Sequence, residues 1–122
     1  MSQVPRTLDE AIEALIEINL KPDEINSMWV RNNWGLWSGG ELAQWFYAHQ
    51  IYHADDMSGI INESYERRIN SKPLELDLQI QKYHKHWEKC YGKNHLEKMR
   101  KDVIGYIVNM RNEKIDKIVG KE

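Results

Sequence analysis

Two short stretches of this chain concentrate the residue types that do chemistry. Trp29–Gly40 holds three Trp, one Arg, two Asn and three Gly within twelve positions. Indole faces stack on flat or cationic groups, and a guanidinium pairs with carboxylate or phosphate. Asn amides read donor and acceptor patterns, and glycines let a backbone approach a ligand closely. Such a set suits recognition of a partner or of a small polar, nucleotide-like ligand. The plainer alternative is a loop pinned by buried Trp rings, its Asn side chains bonding the turns they occupy.

The second stretch is His49-Gln50-Ile51-Tyr52-His53-Ala54-Asp55-Asp56, two imidazoles four positions apart followed by two carboxylates. On one continuous helix that spacing lets two His share a metal, with an Asp completing the set. A helix break between Gln50 and His53 is expected here and would spoil the shared face. A metal site at His49, His53 and Asp55 is therefore the lesser reading, and no cofactor is expected. The preferred one is helix capping by the Asp pair beside a hydrogen-bonded His53. His84, His86 and His95 read as surface or helix-end residues, since positions two apart on a helix face different ways. Cys90 with His86, and Ser58 with His53, are the conceivable nucleophile and base pairs. Neither has a Gly-rich elbow, and no phosphate loop or dinucleotide fingerprint occurs.

Arg31-Asn32-Asn33-Trp34-Gly35-Leu36-Trp37 and His53-Ala54-Asp55-Asp56-Met57-Ser58 together resemble a bacterial domain family of unknown function. That family is marked by Arg-Asn-x-Trp-Gly-Leu-Trp and His-Pro-Asp-Asp-Met-Ser segments. Ala54 stands where the family usually has proline, which loosens a rigid helix start. The resemblance spans roughly residues 7–87 and implies a shared fold and site, with no activity attached. Arg31, Asn32, Asn33, Trp34, Trp37, His53, Asp55 and Asp56 are accordingly expected to line one polar, aromatic-floored surface.

The elements that must position these residues read as helices. Thr7 opens the first with a capping box to Glu10, and Leu8, Ala11, Ile12, Leu15 and Ile16 form its apolar face. Pro22 begins a short helix ending near Met28 or Val30, and residues 31–40 form an ordered loop. Glu41 to about Gln50 returns to helix. The next helix is capped by Asp55 or Asp56 and turns Met57, Ile60, Ile61, Tyr65 and Ile69 inward. Leu74–Gln81 alternates like a strand but lacks a partner, so a helix is placed from near Asp77 to Gly92. A final helix, about 94–119, carries Leu96, Met99, Val103, Ile107 and Met110 as its stripe. The fold expected is all-α, a compact bundle of about five helices forming a single domain over residues 1–122.

Composition limits the rest. The first twenty residues carry four acids and a helical pattern, and no long apolar run follows. Neither a signal peptide nor a membrane span is predicted, and a cytoplasmic location is expected. One cysteine excludes an internal disulfide and a Cys-rich zinc site, and Cys90 is expected to be half-buried. Five Trp and six Tyr against one Phe fit wet interfaces as well as cores. The net charge of −2 divides into −7 for residues 1–81 (6 Lys+Arg, 13 Asp+Glu) and +5 for residues 82–122 (11 against 6). Packing of the last helix on the acidic front half satisfies that split without nucleic acid. The function expected is a non-enzymatic binding module, of the inhibitor, immunity or ligand-sequestering kind, with a partner protein or small polar ligand. The alternative is a small metal-assisted hydrolase using His49, His53, Asp55 and Asp56. A homo-oligomer formed through the C-terminal helix is a further possibility.

Overall fold

The computed structural model describes residues 4–118, with side chains described through residue 108. Six α-helices appear in order: α1 (Leu8–Ile18), α2 (Ser27–Asn33), α3 (Glu41–Ala48), α4 (Ala54–Ile69), α5 (Leu76–Tyr91) and α6 (His95–Ile118). A 3-10 turn at Pro22–Glu24 separates the first two, and no strand occurs among the described residues. The all-α class is as expected, and the six helices are close to the predicted number of about five.

The short helix expected from Pro22 is broken into the 3-10 turn and α2. Ile25 and Asn26 are extended, and the Asn26 side chain accepts from the Trp29 backbone N–H at 3.0 Å, starting α2 afresh. Helix α2 then continues through Asn33, so Arg31, Asn32 and Asn33 sit in its last turn and the expected loop shortens to Trp34–Gly40. At α1, Thr7 accepts from Glu10 N–H as expected. The return half of that box is absent, because the Glu10 carboxylate takes the Arg6 backbone N–H instead.

Helix α4 is the central post, packed by α1, α2, α3, the 3-10 turn and α5. Its Ala54, Met57, Ile60, Ile61 and Tyr65 meet Leu8, Ile12 and Leu15 of α1, Val30 of α2, and Leu42 and Phe46 of α3. Each large apolar side chain so buried contributes about 1.5–3 kcal/mol. The Tyr65 hydroxyl donates to the Leu20 carbonyl, which ties the end of α1 to α4. Ile16 and Ile69, expected inward, are 40% and 43% exposed. The alternating stretch after Pro73 is helical from Leu76. There Gln79 is buried and donates to Ser64 Oγ (3.1 Å) and the Leu74 carbonyl (2.9 Å), a polar lock between α5 and α4. Helix α6 packs on α5 and reaches the Trp-rich turn through Tyr106, whose hydroxyl donates to the Ser38 carbonyl at 3.1 Å. Gly39, at φ +74°, faces the Tyr106 ring so closely that a Cβ would clash with it. The Met110 side chain and residue 119, assigned to the last helix from sequence, lie outside the described residues. No helix among the described residues is long and apolar enough to cross a membrane.

Candidate interaction surface

Arg31 joins the two singled-out segments. Its Nη1 donates to Ser58 Oγ at 3.1 Å, and its Nε stands 3.3 Å from Asp55 Oδ1, close enough for an ion pair but poorly aligned for a hydrogen bond. The guanidinium is mostly covered while Asp55 is open to water. The last turn of α2 is therefore held against the first turn of α4 by one cation. Ser58 also donates to the Asp55 carbonyl at 3.0 Å, so its hydroxyl is engaged on both sides and is not paired with His53.

His53, not an aspartate, caps α4. Its Nδ1 accepts from the Asp55 backbone N–H at 3.0 Å, leaving both carboxylates inside the first turn, where they face the positive end of the helix. The reason is geometric: Ala54 is already helical, so the preceding residue is the one free to cap. On one side of the His53 ring stands Trp37, edge-on at 5.7 Å between centroids, and on the other Trp87, at 5.8 Å. Trp87 in turn stacks with Tyr91 (5.3 Å) and His95 (5.2 Å). The result is a line of rings running from the Trp-rich turn, across the start of α4, to the α5–α6 junction.

Asp56 sits beneath this line. It is buried and accepts from Trp87 Nε1 at 2.7 Å. Burial pushes its carboxyl above the usual range; the Trp87 hydrogen bond and the nearby His53 and His86 oppose that rise, while Asp55 adds to it.

The eight residues expected to form one surface thus divide. Arg31, Trp37, His53 and Asp55 come together. Asn32 and Asn33 are exposed on α2, where Asn33 Nδ2 donates to the Trp29 carbonyl at 2.9 Å. Trp34 belongs to the core and Asp56 lies behind the ring line. Trp29 and Trp37 remain 48% and 56% exposed, Trp29 resting edge-on against Trp34. Trp87, Tyr91 and His95 were missed by sequence reading. Their i, i+4 spacing offered a clue in retrospect, but nothing local tied them to His53.

The other sequence expectations are placed as follows. His49 stacks on Trp45 at 3.8 Å and its Nδ1 donates to the Trp45 carbonyl. Among the described residues, no three His, Cys, Asp or Glu side chains are grouped to hold a metal. Cys90 is exposed rather than half-buried, with its sulfur 3.9 Å from His86 Nε2. His84 Nε2 donates to the Gln50 carbonyl, holding the α3–α4 connection against α5.

No curated protein and no solved structure matches the chain. The family comparison matches residues 23–69 alone, a narrower span than the sequence resemblance, to the model of a domain of unknown function (DUF6794).

Proposed function

We propose that the protein is a non-enzymatic interaction module that binds a partner protein through the surface carrying Trp29, Arg31, Trp37, His53 and Asp55. The observation that carries this reading is the pair of indoles left about half exposed on a tied frame. Large rings normally bury themselves, and Trp and Arg are the residue types that dominate partner binding when they stand on a rigid support. The support here is the Arg31 link from α2 to α4 and the His53 cap. A flat ring line fits a protein face better than a small ligand, which favours a concave site. The cavities at Gln50–Arg100 and at Pro22–Lys72 include none of these five side chains. Catalysis by Ser58 is disfavoured because its hydroxyl is already bonded to Arg31 and Asp55.

Site-directed photo-crosslinking tests the reading. A photoreactive side chain at position 37 should yield a discrete protein adduct in cells, and one at exposed Glu17 on α1 should not. Equal adducts from both positions, or none from position 37, would overturn it. A nucleotide that raises the melting temperature of the wild type but not of Arg31→Ala would replace the partner protein with a small ligand.

A further inference from the structure

The bond that caps α4 sets a condition on one proton. The Asp55 backbone N–H can only donate, so His53 Nδ1, 3.0 Å away, must carry a lone pair and no hydrogen. The ring is thereby held as the neutral tautomer with its hydrogen on Nε2. Imidazole is the side chain whose charge ordinarily changes between about pH 5 and 8. A second hydrogen, on Nδ1, would point at the Asp55 N–H, and the new charge would face the positive end of α4. The capping bond does not survive that protonation.

A different partner for the protonated ring stands close by. Asp55 Oδ2 is 3.9 Å from Nδ1, too far for a hydrogen bond as it stands but within reach of a small side-chain rotation. The other charged and titratable groups come from three more directions. Asp56 of α4 lies beneath the ring, Arg31 of α2 holds Asp55 Oδ1 at 3.3 Å, and His86 of α5 and His95 of α6 lie against Trp87. The two carboxylates attract a charged ring, which therefore has a second position to take. It cannot take it alone, because Trp37 and Trp87 stand within 5.7 and 5.8 Å of it. Trp87 is anchored to Asp56 at 2.7 Å whereas Trp37 is largely exposed, so the displacement falls on Trp37.

We infer that His53 is a pH-sensitive latch on the ring surface: its neutral form caps α4 and fixes Trp37 in line, and protonation exchanges the cap for the Asp55 carboxylate and moves Trp37 away. The binding face is thus presented at neutral pH and withdrawn in mild acid. That consequence rests on the function proposed for the ring surface, while the latch itself does not.

NMR of the full chain, titrated from about pH 8 to 5 across the imidazole range, tests the latch without any partner. At the upper end, imidazole nitrogen shifts should show His53 as the Nε2–H tautomer. On acidification the Asp55 amide should move upfield and the Trp37 indole N–H should shift, both with the midpoint of the His53 ring carbons and not those of His86 or His95. His53→Asn, which can cap but not titrate, should abolish both changes. Asp56→Asn, which keeps an acceptor for Trp87, should retain them. An Nδ1–H tautomer, a His53 ring that titrates while Asp55 and Trp37 stay still or does not titrate in this range, or transitions that persist in His53→Asn would overturn the inference. Failure of crosslinking from position 37 beside an intact transition would reject the partner surface and leave the latch standing.

Discussion

A buried carboxylate with one strong donor makes Trp87 indispensable at the scale of single residues. Removing the indole N–H by Trp87→Phe leaves Asp56 covered and without that 2.7 Å bond. The expected loss is about 1.5–3 kcal/mol, the range for a hydrogen bond to a charged group, read by urea unfolding. The pH dependence follows from the same carboxyl. Its folded-state pKa is raised by burial, so the folded protein holds this proton more tightly than the unfolded chain. The stabilising contribution is complete below the unfolded value and is lost as pH rises through the folded one. Asp56→Asn keeps an acceptor for Trp87 and removes the titration. The stability of wild type relative to Asp56→Asn should therefore fall with rising pH across the carboxylate range and then level off; a relative stability that climbs with pH would contradict the assignment.

The helices themselves depend on a few local devices, and Gly59 is the sharpest. A Cβ there would collide with the Tyr83 hydroxyl, so the Tyr83 ring of α5 can rest where it does on α4 because that position is bare. Gly59→Ala should cost about 1–3 kcal/mol, the range for overpacking, despite the better helix propensity of alanine. In the Tyr83→Phe background, where the colliding oxygen is gone, most of that cost should disappear from the melting temperature. This contact joins residues 24 positions apart and was invisible in the sequence. What the sequence did reveal was local: the periodic apolar faces of α1 and α4, the stop at Asn70–Pro73, and the Thr7 cap. It misplaced the start of α2, because the capping Asn26 is followed by Ser-Met-Trp rather than by the usual acidic box. It read Asp55 and Asp56 as caps because both are good cap residues, whereas the chain is already helical at Ala54 and leaves the task to His53. The strand-like alternation at 74–81 gave way to helix because no strand is present among the described residues to pair with it and Gln79 found a buried partner in Ser64.

Across the whole molecule, α4 organises the proposed surface. Its N-terminal turn is tied to α2 under the ring line, and its buried face carries the core. The convergence of Arg31 and Trp37 with His53 and Asp55 was legible from the residue types in the two segments. Its extension to Trp87, Tyr91 and His95 was not, because it depends on how α5 crosses α4. The central claim is that the open indoles serve binding and not folding. Isothermal titration of the partner captured from position 37 against wild type and Trp37→Ala tests it most directly. The account predicts at least a tenfold loss of affinity for Trp37→Ala with its melting temperature within a few degrees of wild type. Unchanged affinity would contradict it.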